Sequence, residues 1–135
     1  MKKTTPILQK TFETQDLFNL LTCYYLHDIC DGRQFQTMRA TDFADFLNLK
    51  PTTQPVIVNS RENLRVCYMI YALSLEIRDR NTAKEWRESI LSTCGIGLSY
   101  YSSHYRDCAE LGSGTTNKHF VADIDDAIRS GMHRR

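Results

Sequence analysis

The segment SRENLRVCYMIYALSLEIRDR, residues 60–80, limits the fold more than any other part of this 135-residue chain. Its apolar residues recur at helical spacing in two neighbouring rows, which are Val66, Ile70, Leu73 and Ile77 in one and Leu64, Cys67, Tyr71 and Leu75 in the other. Two adjacent rows give an apolar arc that is wider than a helix at the protein surface needs. We therefore predict a helix over 60–80 that begins after a Ser60 cap and is surrounded by the rest of the chain.

The remaining segments also favour helices. Apolar residues at helical spacing are found at 17–29, 42–49, 82–94, 98–111 and 117–131. The pattern from Thr82 to Glu85 is a capping box, which marks the start of a helix. Val56, Ile57 and Val58 favour an extended backbone, but one strand alone cannot form a sheet. The sequence thus predicts an all-α fold, a bundle of roughly five helices around the buried central helix 60–80, with at most one short extended segment near 55–58.

The length of the chain suits one domain, which can bury a sizeable core without metal or disulfide bonds. We expect an N-terminal tail or arm at 1–13, a single helical domain at 14–131 and a C-terminal tail at 132–135.

Charge and cysteine content narrow the classes of function. The net charge is +1, whereas a dedicated nucleic-acid binder usually carries a strong basic excess. No apolar run is long enough for a membrane span or a signal peptide. The five cysteines are an odd number, and most fall inside predicted helices, as is typical of reduced thiols in a cytosol. We expect a cytoplasmic protein without a membrane partner.

The seven tyrosines point to contact with another protein. In each Tyr-Tyr pair at least one ring must point away from the inner face of its helix, and an exposed tyrosine suits a protein interface. The interface candidates are Tyr24, Tyr25, Tyr100, Tyr101 and Tyr105. The favoured function is accordingly non-catalytic, an accessory or regulatory role through a protein partner or through a homodimer.

The alternative is a DNA-binding transcriptional regulator that uses residues 41–65. The segment RATDFADFLNL resembles the first helix of a helix-turn-helix motif, with suitable residues at Thr41, Phe43, Ala44 and Leu47. Basic candidates for this contact are Arg39, Lys50, Arg61 and Arg65. Pro51, Pro55 and the β-branched run that follows oppose a recognition helix directly after the first one, so this alternative ranks second.

A metal- or cysteine-dependent enzyme ranks third. The low-ranked metal candidates are Cys23, His27, Cys30, His104 and Cys108, because sulfur and imidazole are ligands of zinc. Their spacing is not that of a usual zinc motif, and free cysteines commonly pack as small apolar residues. On a single helix His104 and Cys108 can touch, while Asp107 is expected to point elsewhere. We predict no catalytic residue and no cofactor.

Overall fold

The computed structural model describes residues 16–133 of the chain. Within this range it has six α-helices and no β-strand: α1 Leu20–Cys30, α2 Ala40–Leu47, α3 Asn63–Ser74, α4 Arg80–Cys94, α5 Leu98–His104 and α6 Thr115–Met132, with a short 3-10 helix at Asp107–Ala109. The predicted all-α fold is confirmed. The predicted arm at 1–13 and the end of the predicted C-terminal tail lie outside the described residues, and the domain limits stay a prediction.

Helix α3 is the buried centre of the molecule, but the second of the two predicted apolar rows is only partly buried, and Leu75 is 64% exposed. Eight of its twelve residues are buried, from Val66 to Ile70 and from Ala72 to Ser74. It packs against α4, α5, α6 and the 3-10 helix, whereas α1 packs on α2 and α6. The core of the molecule therefore lies around α3.

The predicted limits of this helix were wrong at both ends. Arg61 has a positive φ of 70°, which interrupts an α-helix, so α3 begins only after Glu62 and Ser60 is not its cap. At the other end the Glu76 N–H donates to the Leu73 carbonyl at 2.9 Å, an i to i−3 bond that tightens the turn and ends the helix.

Helix α4 starts earlier than the capping box predicted. Its cap is Asp79, whose carboxylate accepts hydrogen bonds from both the backbone N–H and the hydroxyl of Thr82, each at 2.8 Å. Thr82 therefore lies in the first turn of the helix and Glu85 does not complete a capping box. The predicted helix over 98–111 is also split, since α5 ends at His104.

The predicted extended segment is present and finds a partner in the loop after α1. The Gln36 N–H donates to the Ile57 carbonyl, and the Asn59 N–H donates to the Gln34 carbonyl, both at 2.9 Å. These bonds frame an isolated antiparallel bridge between Phe35 and Val58. One bridge ties the loops together, and the described residues contain no sheet.

Helices α1 and α6 cross at small residues. The Asn19 side chain caps α1 by accepting from the Thr22 N–H and also donates to the Gly131 carbonyl at 3.0 Å. A Cβ atom added to Gly131 would lie 2.1 Å from the Thr22 hydroxyl oxygen. The missing side chain at Gly131 lets α6 approach α1 closely, and this approach decides which part of α1 faces outward.

No helix within residues 16–133 combines the length and the apolar character that a membrane span requires.

Candidate functional site

The cysteines are not arranged as reactive thiols. Four of them are buried and Cys94 is half-buried. Burial raises the pKa of Cys23, Cys30, Cys67 and Cys94 to about 12 and that of Cys108 to about 11. Because the thiolate is the nucleophile and the metal ligand, these side chains stay protonated and unreactive near neutral pH.

The metal candidates have other partners. The His27 Nε2 atom lies 2.6 Å from the Met38 carbonyl oxygen and 3.3 Å from the Asp31 carboxylate, so the imidazole joins α1 to the following loop. Among residues 16–133, no three or more His, Cys, Asp or Glu side chains are grouped so that they could hold a metal ion.

His104 contacts a different residue from the one its spacing suggested. Its Nδ1 atom lies 2.7 Å from a carboxylate oxygen of Asp107, and Cys108 is buried. The expectation that Asp107 points elsewhere was wrong because α5 ends at His104 and a 3-10 turn brings Asp107 back to it. Both partners are about two-fifths exposed, so this pair lies at the surface.

Three of the four basic candidates for DNA binding are engaged with acidic side chains. Arg39 is 3.4 Å from Asp42, Lys50 is 2.8 Å from Asp16, and Arg65 is 2.9 Å from Glu62, while Arg61 is exposed. No helix lies within 48–62, where the second helix of a helix-turn-helix would follow the first.

The structure separates the tyrosine candidates into two groups. Tyr101 and Tyr105 stack with their ring centroids 5.3 Å apart, and Tyr105 contacts Tyr71 of α3 at 4.9 Å. Burial raises the pKa of Tyr101 to about 12. These rings hold α5 to α3. In contrast, Tyr24 and Tyr100 are each 37% exposed, and Tyr25 is half-buried.

The outer side of α1 is an exposed helix face that is largely apolar and contains Tyr24 and Tyr25. We name it the α1 surface, and its members are Leu20, Leu21, Tyr24, Tyr25, Asp28 and Ile29. Leu20 is 53% exposed, and Leu21, Tyr25 and Ile29 are half-buried. The inner side of α1 is apolar as well, with Cys23, Leu26 and Cys30 buried. A helix that is apolar on two sides is normally covered on both, whereas among residues 16–133 the α1 surface keeps Leu20 and Tyr24 exposed.

A groove between α1 and α6 continues this surface. It has a volume of about 270 Å³ and is lined by Tyr25, Ile29, Asp123, Asp126, Ala127 and Ser130. Apolar side chains come from α1, and the two charged lining residues, both carboxylates, come from α6. We call it the α1–α6 groove.

A larger cleft of about 640 Å³ lies where α3 meets α6, and several of its polar groups are paired with one another. The Tyr68 hydroxyl donates to Asp125 at 2.7 Å, and His133 lies 2.7 Å from Glu76. Both contacts join α3 or the turn after it to α6. Neither His27, nor His104, nor any cysteine of the described residues lines this cleft, and the histidine that does is His133.

Tyr24 and Tyr25 were predicted as interface residues, but the other members of the α1 surface were not. The spacing of four residues between Leu20 and Tyr24 could have predicted that both lie on one face of the helix. The sequence did not indicate that Asp123 and Asp126 line a groove, because a carboxylate on the polar side of a helix usually faces only solvent.

Comparison of the chain with protein-family models, with curated proteins and with solved structures gave no match in any of the three.

Proposed function

We propose that the protein acts without catalysis, by binding another protein through the α1 surface. The observation that carries this proposal is the exposure of Leu20 and Tyr24 on a helix that is apolar on both sides. An apolar patch that contains tyrosine is typical of the central part of a protein interface.

Two features of the candidate site support a role in binding over a role in catalysis. The thiols are protonated because burial raises their pKa. In the large cleft, the Tyr68–Asp125 and Glu76–His133 contacts join α3 and the turn after it to α6 and to the residue that follows it. The DNA-binding alternative has less support, since Arg39, Lys50 and Arg65 are held by Asp42, Asp16 and Glu62.

The test compares two tyrosines of equal exposure. Tyr24 on α1 and Tyr100 on α5 are each 37% exposed, so Tyr24→Ser and Tyr100→Ser remove the same kind of surface group from different places. Proteins captured by the tagged chain from an extract of its native cells are quantified by mass spectrometry. We expect at least one partner to fall about tenfold with Tyr24→Ser, as for loss of an interface hot spot, and to stay unchanged with Tyr100→Ser.

Light scattering of the purified chain tests whether the protein associates with itself. A mass that rises from 15.7 kDa to about twice that value with concentration, and that Tyr24→Ser keeps at the lower value, would identify a second copy as the partner. If neither a captured protein nor the mass depends on Tyr24 more than on Tyr100, the proposal is wrong.

A further inference from the structure

We propose that the partner presents a basic amphipathic helix, with its apolar stripe on the α1 surface and its Lys or Arg side chains facing the acidic edge of the α1–α6 groove. This inference rests on the proposed function and specifies the chemistry of the partner.

The groove has the form that a helix recognises. Tyr25 and Ile29 lie one turn apart on α1, and Asp123 to Ser130 extend over about two turns of α6. Helices that bind in grooves insert apolar side chains at i, i+3, i+4 and i+7, which recur on the same length scale. Leu20 and Tyr24 extend the apolar contact beyond the groove along α1. An amphipathic helix can therefore cover both features at once.

The charges around this site favour a basic partner. Asp28 on the α1 surface and Asp123 in the groove are exposed and form no ion pair within residues 16–133. Asp126 is paired with Arg129 on the same helix. On the α1 side, Arg33 donates a hydrogen bond to the Ile29 carbonyl at the end of the helix. Two carboxylates are thus left for cations from a partner.

The same charges argue against a second copy of this chain on the α1 surface. In a two-fold symmetric dimer the same patch meets itself, so the acidic edge of one copy lies near that of the other. The α1 surface contains Asp28 and no basic residue that could offset this repulsion. Like charges across an interface disfavour a complex, whereas opposite charges speed its formation and select the partner.

The test uses two matched synthetic peptides of about 16 residues, the length of a helix that could span the site. The first carries leucine at i, i+3, i+4 and i+7 with lysine on its other face, and the second has glutamate in place of every lysine. We expect saturable binding of the lysine peptide by fluorescence anisotropy and at least tenfold weaker binding of the glutamate peptide. Binding of the lysine peptide should also weaken when the salt concentration rises from about 50 mM to about 500 mM, because ions screen the charges of the carboxylates.

Charge-neutralising variants locate the contact. Asp28→Asn combined with Asp123→Asn should weaken binding of the lysine peptide about tenfold and reduce its dependence on salt. Tyr24→Ser should weaken binding at every salt concentration, since it removes apolar contact. The matched control is Glu85→Gln with Glu88→Gln, which removes the same charge from exposed positions on α4 and should leave binding unchanged.

Three outcomes would overturn the inference. The first is that the lysine peptide shows no saturable binding, and the second is that the glutamate peptide binds as tightly as the lysine peptide. The third is that the Glu85 and Glu88 variant loses as much affinity as the Asp28 and Asp123 variant. If a Tyr24-dependent partner is captured but the lysine peptide does not bind, the inference fails and the proposed function stands. A Tyr24-dependent dimer that strengthens with Asp28→Asn and Asp123→Asn would assign the surface to a second copy instead.

Discussion

At the scale of single residues, Gly131 decides how closely α6 packs on α1. A Cβ atom at this position would lie 2.7 Å from the Cα of Thr22 as well as 2.1 Å from its hydroxyl oxygen. Because one of these atoms belongs to the backbone, a new rotamer of Thr22 cannot relieve the contact and the helices must move apart. Gly97 differs, since a Cβ there has no neighbour within 4 Å and its φ is −71°.

We predict that Gly131→Ala lowers the free energy of unfolding by about 1–3 kcal/mol, the usual cost of forcing extra volume into a packed interface. Alanine is the better helix former, so a change in the opposite direction would show that α1 and α6 do not approach as described. Gly97→Ala is the control and should leave the midpoint of urea unfolding nearly unchanged. Equal effects of the two substitutions would contradict the prediction.

Residue identities alone predicted that α3 is buried, but not that Leu75 at the end of its second apolar row is 64% exposed. They also did not predict that Tyr24 is exposed whereas Tyr101 is buried. Both residues belong to Tyr-Tyr pairs, and the packing of α5 on α3 and of α6 on α1 distinguishes them. Such contacts join residues far apart in the chain, which a local pattern does not report.

At the scale of helices, the start of α4 shows how one cap excludes another. Asp79, Thr82 and Glu85 offer two overlapping caps, and a choice between Asp79 and Thr82 shifts the helix start by three residues. The structure uses Asp79, whose carboxylate satisfies the Thr82 N–H. The turn after α3 favours this choice, because the chain leaves α3 at Ser74 and reaches Asp79 in an extended conformation with ψ of 123°.

We predict that Asp79→Ala lowers the midpoint of urea unfolding and that Glu85→Ala does not. Hydrogen bonds from the Thr82 hydroxyl and the Thr82 N–H hold the pKa of Asp79 below its usual value. A lowered pKa means that this stabilisation is complete above about pH 4, the pKa of an unfolded aspartate, and is lost as the pH falls through the lower folded value. The difference between wild type and Asp79→Ala should therefore vanish in acid. A larger loss of stability with Glu85→Ala than with Asp79→Ala would show that Thr82 and Glu85 cap the helix instead.

At the scale of the whole molecule, the thiols make the fold sensitive to alkali. The buried cysteines come from helices α1 and α3 and from the 3-10 helix, with Cys94 at the end of α4. All of them lie in or against the common core, so the folded state holds their protons to a higher pH than the unfolded state does. The odd number of cysteines indicated reduced thiols from the sequence, and the described structure adds that burial raises their pKa in every case.

The free energy of unfolding should accordingly fall as the pH rises through the range between the unfolded and the folded thiol pKa. Unfolded thiols lose their protons near pH 8.5, whereas four folded thiols keep theirs to about 12 and Cys108 to about 11, so the unfolded state binds fewer protons in between. Each thiol then contributes a slope of about −1.4 kcal/mol per pH unit. Urea unfolding between about pH 8 and about pH 9.5, below the range in which unfolded tyrosines ionise, measures the sum, and Cys94→Ala should make the slope shallower by the share of one thiol. A free energy of unfolding that stays constant over this range would show that the thiols are open to water, and with them the core around α3.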